Sequence, residues 1–365
     1  MTPSPAGYEE DVRALTVEPQ RAGSIRVEEV AEPQPSDDEL LVHGIAVGVC
    51  GTDKEIVRGS YGWPPPDRER LVIGHESLGR VERAPAGSGF EQGDLIAGVV
   101  RRPDPQPCGA CAHGEWDMCR NGQYTERGIK QLDGYASERW TVPARFAVKV
   151  ESRLGMTGVL IEPTSVVAKA WEQVDRIGGR AWFQPRVVLI TGAGPIGLLA
   201  AMTGVQRGLD VHVLDRVTDG PKPGLVRDLG ASYHTGSVAD VAAKACPDVV
   251  IEATGVGQLV FEAVAENGSY GIVCLTGVSP RGRTLQIDAG ALNREIVLEN
   301  DVVVGSVNAN LRHYEQAAQA LARAQTEWLQ RLITARVPLT HAPDAFDRTG
   351  DNDVKVVIAL DEAAT

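Results

Sequence analysis

Hydrophobic positions follow two different rhythms along this chain. Over roughly the first 160 residues they come in short runs broken by glycine and proline, the mark of short, mainly antiparallel strands. Ser24 to Val30 mixes charged and β-branched positions between Pro-containing turns. Glu39 to Val49 is a stronger strand candidate, and it delivers Cys50 into a glycine-containing turn. Pro64, Pro65 and Pro66 demand an irregular loop between Tyr61 and Arg70. Leu71 to Ile73 is a short apolar strand ending at Gly74-His75-Glu76, and Phe146 to Val150 is the last strand of this half.

After residue 160 the rhythm changes. Val166 onward reads as a helix bridging two halves, and strand then alternates with helix. Val187 to Ile190 is a strand, Pro195 to Arg207 a helix and Val211 to Leu214 a second strand. Leu225, Val226 and Leu229 sit on a short helix. Val249 to Ile251 and Ile272 to Leu275 are a third and a fourth strand. Such alternation predicts a parallel sheet with helices on both faces, so the fold class is α/β. One amphipathic helix, Tyr314 to Ile333, and a strand from Val354 to Leu360 close the chain, which shows no internal repeat.

Composition changes this picture little. A chain of 365 residues favours two domains over one. With 43% hydrophobic and 23% charged residues it reads as a soluble globular protein. A net charge of −13 and a pI near 5.1 leave no basic excess to meet phosphates, so no nucleic-acid partner is expected. Met1 to Glu10 lacks a basic and an apolar signal region, so no secretory signal is read and a cytoplasmic location is expected. The apolar run Val187 to Val205 approaches membrane-spanning length, yet Gly192, Gly194, Gly197, Gly204 and Pro195 make it a buried strand, a turn and a helix, so no membrane association is expected. Six cysteines are too few for a disulfide scaffold; the three that cluster suggest metal.

Gly192-Ala193-Gly194-Pro195-Ile196-Gly197 has G-x-G-x-x-G spacing directly after a strand and before a helix. The first glycine suits a tight turn, the second a close pyrophosphate, and the third close helix packing with phosphates at the helix N-terminus. Asp215 ends the next strand, where a carboxylate binds the adenosine ribose and disfavours a 2′-phosphate. Arg216 beside it either meets a 2′-phosphate or is solvated, so the reading leans to NAD and leaves NADP open. Thr254, Thr276, Val278, Val307 and Asn308 are further candidate cofactor contacts.

Cys50, His75 and Glu76 are thiol, imidazole and carboxylate, the ligand types of zinc. They lie too far apart for a local finger, so only a fold could assemble them. Otherwise Cys50 is a small core residue. Glu162, between Ile161 and Pro163 just before the bridging helix, is a further candidate, and three protein ligands with an open position make a catalytic zinc site. Cys108-x2-Cys111-x7-Cys119 is a second cluster lacking a fourth ligand, with Asp104, His113 and Asp117 nearby; the bland alternative is three reduced cysteines on a loop.

These residues resemble the zinc-containing medium-chain alcohol dehydrogenase superfamily, and within it the glucose dehydrogenase branch. The likeness is carried by Cys50 to Val57, Gly74-His75-Glu76, Asn121 to Ile129, Ile161-Glu162-Pro163, Glu252 to Gly255 and Gly305 to Asn308, in order over nearly the whole chain. It implies a GroES-like catalytic domain over residues 1–175, a Rossmann domain over 176–306, and a segment over 307–365 that completes the first. It also implies catalytic zinc at Cys50 and His75 with Glu76 or Glu162, and sugar or nicotinamide contacts at Thr52, Glu126, Glu162 and Asn308. Relatives form dimers or tetramers. The family's structural zinc loop carries four cysteines, and Pro105 stands at the position of one. Either Asp104 substitutes with an oxygen, or the loop holds zinc weakly or not at all.

The expected enzyme is a zinc- and NAD(P)-dependent dehydrogenase of a sugar or polyol, with C1 of a glucose-like substrate oxidised to a lactone. Zinc would lower the pKa of the bound alcohol, and the Thr52 hydroxyl would start a proton path that Glu55 extends. Thr52 could equally cap the next helix, and Glu126 could be a solvated loop carboxylate. The alternatives are a dehydrogenase of a cyclitol or biosynthetic intermediate, and a non-catalytic nucleotide-binding relative.

Overall fold

The short N-terminal runs pair mainly as antiparallel strands. In the computed structural model, which describes residues 11–280, 282–348 and 350–361, they are β1 (Asp11–Val17), β2 (Arg26–Ala31), β3 (Glu39–Val49), β4 (Leu71–Val72), β5 (Glu76–Arg83), β6 (Leu95–Gly98), β7 (Arg101–Arg102), β8 (Thr125–Arg127), β9 (Gln131–Leu132), β10 (Arg139–Pro143) and β11 (Ala147–Val150). Met1 to Glu10, read above for a signal, lies outside the described residues. The strand β3 is central: β5 lies along one side, and β10 and the C-terminal strand share the other. Leu40, Val42, Ala46 and Val47 on it are buried. Helix α1 (Gly51–Val57) starts directly at its end, so the strand's fixed register sets where Cys50 emerges.

The second rhythm gives six parallel strands. β12 (Val187–Thr191), β13 (Asp210–Leu214), β14 (Ser232–His234), β15 (Val249–Glu252), β16 (Ile272–Leu275) and β17 (Val302–Gly305) stand in the order β14-β13-β12-β15-β16-β17, the doubly wound order whose reversal point lies between β12 and β15. The sequence reading named four of them and missed β14 and β17, the two edge strands. Leu189, Val250 and Val273 pack with Val238, Val241 and Ala263 of the covering helices. The Val187 to Val205 run is β12, a turn and the buried helix Pro195–Gln206. No helix among the described residues is long and apolar enough to cross a membrane.

Two compact units result, one through Glu162 with residues 335–348 and 356–361, the other Pro163–Thr334 with Gly350–Lys355. Two helices differ from the sequence reading. The helix expected from Val166 begins at Ile161 and takes in Glu162, because Pro163 falls in the first turn, where a missing N–H costs no bond. The single helix expected over Tyr314 to Ile333 is two, Leu311–Arg323 and Thr326–Leu332. The break at Ala324 and Gln325 lets Trp328 bury itself and donate its indole N–H to Leu225 O at 2.9 Å.

Candidate functional site

Cys50 is the N-cap of α1. Its Sγ accepts the Thr52 N–H at 3.3 Å, while Asp53 Oδ2 accepts the Cys50 N–H at 3.0 Å, a reciprocal capping box. The thiol and Asp53 therefore do the capping considered for Thr52. His75 sits between β4 and β5 at 5% exposure, with Nε2 3.0 Å from Cys50 Sγ. Its Nδ1 lies 3.1 Å from Asp53 Oδ1, and neither atom has a partner elsewhere among the described residues. Burial opposes a charged imidazole here, but the Asp53 carboxylate and Cys50 outweigh it and hold the His75 pKa well above its ordinary value.

Glu76 is 2% exposed and faces Gly48 across the β3–β5 register. A Cβ on Gly48 would lie 1.9 Å from Glu76 Oε2, so the glycine makes the hollow that the carboxylate fills. Ligand atoms of Cys50, His75 and Glu76 all lie within 4.8 Å of one another. Donors about 2.0–2.3 Å from a tetrahedral zinc stand roughly 3.3–3.8 Å apart, so small side-chain shifts would seat the ion. An anionic thiolate, a neutral imidazole and a carboxylate suit zinc, and Asp53 supplies the outer carboxylate that orients a metal-bound histidine. The residues fit the metal. Glu162, in the first turn of its helix and half-buried, is not in this group.

Cys108, Cys111 and Cys119 also converge within 4.8 Å. Cys108 and Cys111 sulfurs are 3.7 Å apart, and Cys119 Sγ lies 4.0 Å from Oδ2 of the buried Asp104. The Arg120 and Cys111 N–H groups pull the Cys108 thiol down to about 6, while burial pushes Cys111 up. His113 is exposed and turned to Gly109 O at 2.7 Å, away from the sulfurs, and Asp117 is buried outside the group. Of the three fourth-ligand candidates, Asp104 is the one the fold brings to a cysteine.

Glu126 is buried rather than solvated, 4% exposed and paired with Arg101. The sequence reading missed Arg101 and also Asp53. An acid three residues after the cap signalled Asp53, but no local pattern announces Arg101.

In the second unit the expected cofactor residues follow the C-terminal ends of β12, β13, β15, β16 and β17. Gly192 has φ +97°, and a Cβ on Gly197 would lie 1.8 Å from Gly192 O, so the helix starting at Pro195 packs directly on the turn. Gly194 is its N-cap with open space around it, and Ile196 follows in the first turn. Asp215 Oδ2 accepts the Ala193 N–H at 2.6 Å and lies 3.6 Å from Lys222 Nζ, a cation the sequence reading missed. Arg216 is exposed and pairs with Asp351. Fully buried Glu252 accepts the Thr254 and Gly255 N–H groups and the Thr191 hydroxyl, and its carbonyl takes Thr276. Val278 and Val307 are exposed, Lys169 Nζ donates to Val307 O at 2.9 Å, and Asn308 has φ +62°.

Residues 36–152 match the alcohol dehydrogenase GroES-like domain and residues 155–360 the glucose dehydrogenase C-terminus. A glucose 1-dehydrogenase of Methanocella arvoryzae is 37% identical over 359 residues, covering 96% of this chain and 99% of the relative. That of Thermoproteus tenax is 39% identical, covering 96% and 99%. The solved structure of Haloferax mediterranei glucose dehydrogenase in complex with NADP, Zn and gluconolactone is similar at 32% identity and TM-score 0.87, covering 96% of this chain and 99% of that one.

Proposed function

The chain belongs to the glucose dehydrogenase branch of the zinc-dependent medium-chain alcohol dehydrogenase superfamily, and from that premise we propose that it oxidises an aldose at C1 to the lactone with NAD(P). The observation that carries this reading is the Cys50–His75–Glu76 group, three zinc donors from separate stretches converging in one buried place. Zinc there supplies Lewis-acid activation of the alcohol, and the nicotinamide accepts hydride. The chain's own residues do the rest. Asp53 holds His75 by Nδ1 and so keeps Nε2 turned to the Cys50 sulfur, where it would be presented to a bound zinc. The Thr52 hydroxyl, released from capping, takes the alcohol proton toward Glu55 and solvent. Glu126 and Asn308 recognise sugar hydroxyls, and Glu162 adds a carboxylate beside the metal group or the sugar. Asp215 orders the glycine turn and accepts the ribose hydroxyls. Thr254, Thr276, Val278 and Val307 line the nicotinamide's approach. Asp104 completes a second, Cys3Asp zinc site.

A panel of aldoses, polyols and cyclitols with each nucleotide tests this. Chelator-sensitive reduction of NAD by glucose is the expected result, and inactivity on every member would defeat it. A large NADP preference would instead overturn the role given to Asp215. Zinc analysis giving two ions per chain supports the second site; one ion removes it.

The same reading includes a homo-oligomer, a dimer or tetramer. The strand β17 ends its sheet, and Val303 on it and Val297 and Leu298 before it are exposed at 39%, 65% and 59%. An open apolar edge invites pairing with a second copy. A smaller particle for V303K in size-exclusion chromatography is expected; a monomeric wild type would overturn it.

A further inference from the structure

Arg101 and Glu126 are direct partners where β7 and β8 pair antiparallel, so their side chains leave the same face. Nε and Nη2 of the guanidinium both lie 3.0 Å from Glu126 Oε1, with the two side chains only 8% and 6% exposed. Arg101 is itself held at two further points. Its Nη1 donates to Asp117 O at 3.1 Å, in the loop between Cys111 and Cys119. Its guanidinium lies 3.6 Å from the centre of the Tyr124 ring.

A buried ion pair is a weak source of stability, because desolvating both charges offsets most of their attraction, and apolar replacements of similar volume often fold as well. What the planar, multiply donating guanidinium does better than any other side chain is fix the orientation of a carboxylate. Here the fork is anchored on a backbone carbonyl and an aromatic face, so the carboxylate is set by groups outside its own strand.

We propose that Arg101 is the positioning residue for Glu126, and that through Asp117 O it ties the cysteine loop to recognition of a polyhydroxylated substrate. This rests on the reading of Glu126 as a sugar contact. A hydroxyl bound by a carboxylate is sensitive to its angle as well as its distance. Lysine at 101 keeps a charge but cannot reach Glu126 and Asp117 O together as a rigid fork does.

The test measures aldose KM and kcat for R101M, R101K, E126Q and R101M/E126Q, with nucleotide Kd and Tm alongside, and repeats KM with a series of monodeoxy aldoses. R101M and E126Q should each raise KM about tenfold or more, the loss of a hydrogen bond to a charged group. Nucleotide Kd should stay unchanged, R101K should fall between R101M and wild type, and the double variant should be no worse than either single one. One deoxy position should erase the penalty in both single variants, which a purely structural role for Arg101 would not produce. If R101M fails to fold, R101Q carries the same comparison. A raised KM in E126Q with wild-type KM in the Arg101 variants overturns the positioning role alone. Wild-type KM in both sets overturns the sugar reading of Glu126, and the inference with it.

Discussion

Gly48 and Glu76 face each other across two strands, and the absent side chain of one is the space occupied by the carboxylate of the other. An added Cβ would stand 1.9 Å from Glu76 Oε2. G48A should therefore turn Glu76 out of the donor group while the sheet register, held by backbone bonds on both sides of β3, persists. Zinc affinity should fall by about tenfold or more, with activity falling in parallel. Metal competition with a chromogenic chelator checks it; retained affinity would show that Glu76 is not a ligand.

Asp53 acts through His75. D53N can still accept the Cys50 N–H and preserve the cap, but it loses the charge beside Nδ1. The expected result is an unchanged Tm with a roughly 10–100-fold loss of zinc affinity, the range for outer-shell partners. Equal zinc binding in D53N and wild type would refute the role.

Gly197 keeps the nucleotide turn closed. A Cβ there would meet Gly192 O at 1.8 Å, pushing the helix N-terminus off the strand. Overpacking of this kind costs about 1–3 kcal/mol, so nucleotide Kd in G197A should rise about tenfold or more while zinc content is unchanged. Fluorescence titration with NAD and NADP would read it.

Glu172 is held by Arg312 at 2.9 and 2.8 Å and by Arg176 at 2.9 Å. The Arg312 hydrogen bonds, aided by His313 and Arg176, outweigh burial and lower its pKa below the ordinary 4.5. A carboxylate whose folded pKa is depressed contributes stability fully above the unfolded value and loses it as pH falls through the folded one. E172Q should thus be less stable than wild type at pH 7, by about 1 kcal/mol, and the two melting curves should converge below about pH 4. A constant difference across that range would assign the loss to packing instead.

The sequence determined the two rhythms, the parallel sheet, the glycine turn and the residue types of the candidate zinc donors, because each is written in local periodicity or in residue type. Asp215 was legible because its position follows from the length of one strand–helix–strand unit. What only the tertiary structure decided is which distant residues meet. Cys50 reaches His75 through the β3–β5 register, Asp53 doubles as cap and imidazole partner, and Arg101 selects Glu126 across a two-residue strand. The doubt over Glu126 as a solvated loop residue had the same origin, since burial by Arg101 and Tyr124 depends on contacts that no sequence period records. Local patterns set backbone conformation over a few residues, whereas these encounters depend on strand pairing, and pairing is chosen by the core as a whole.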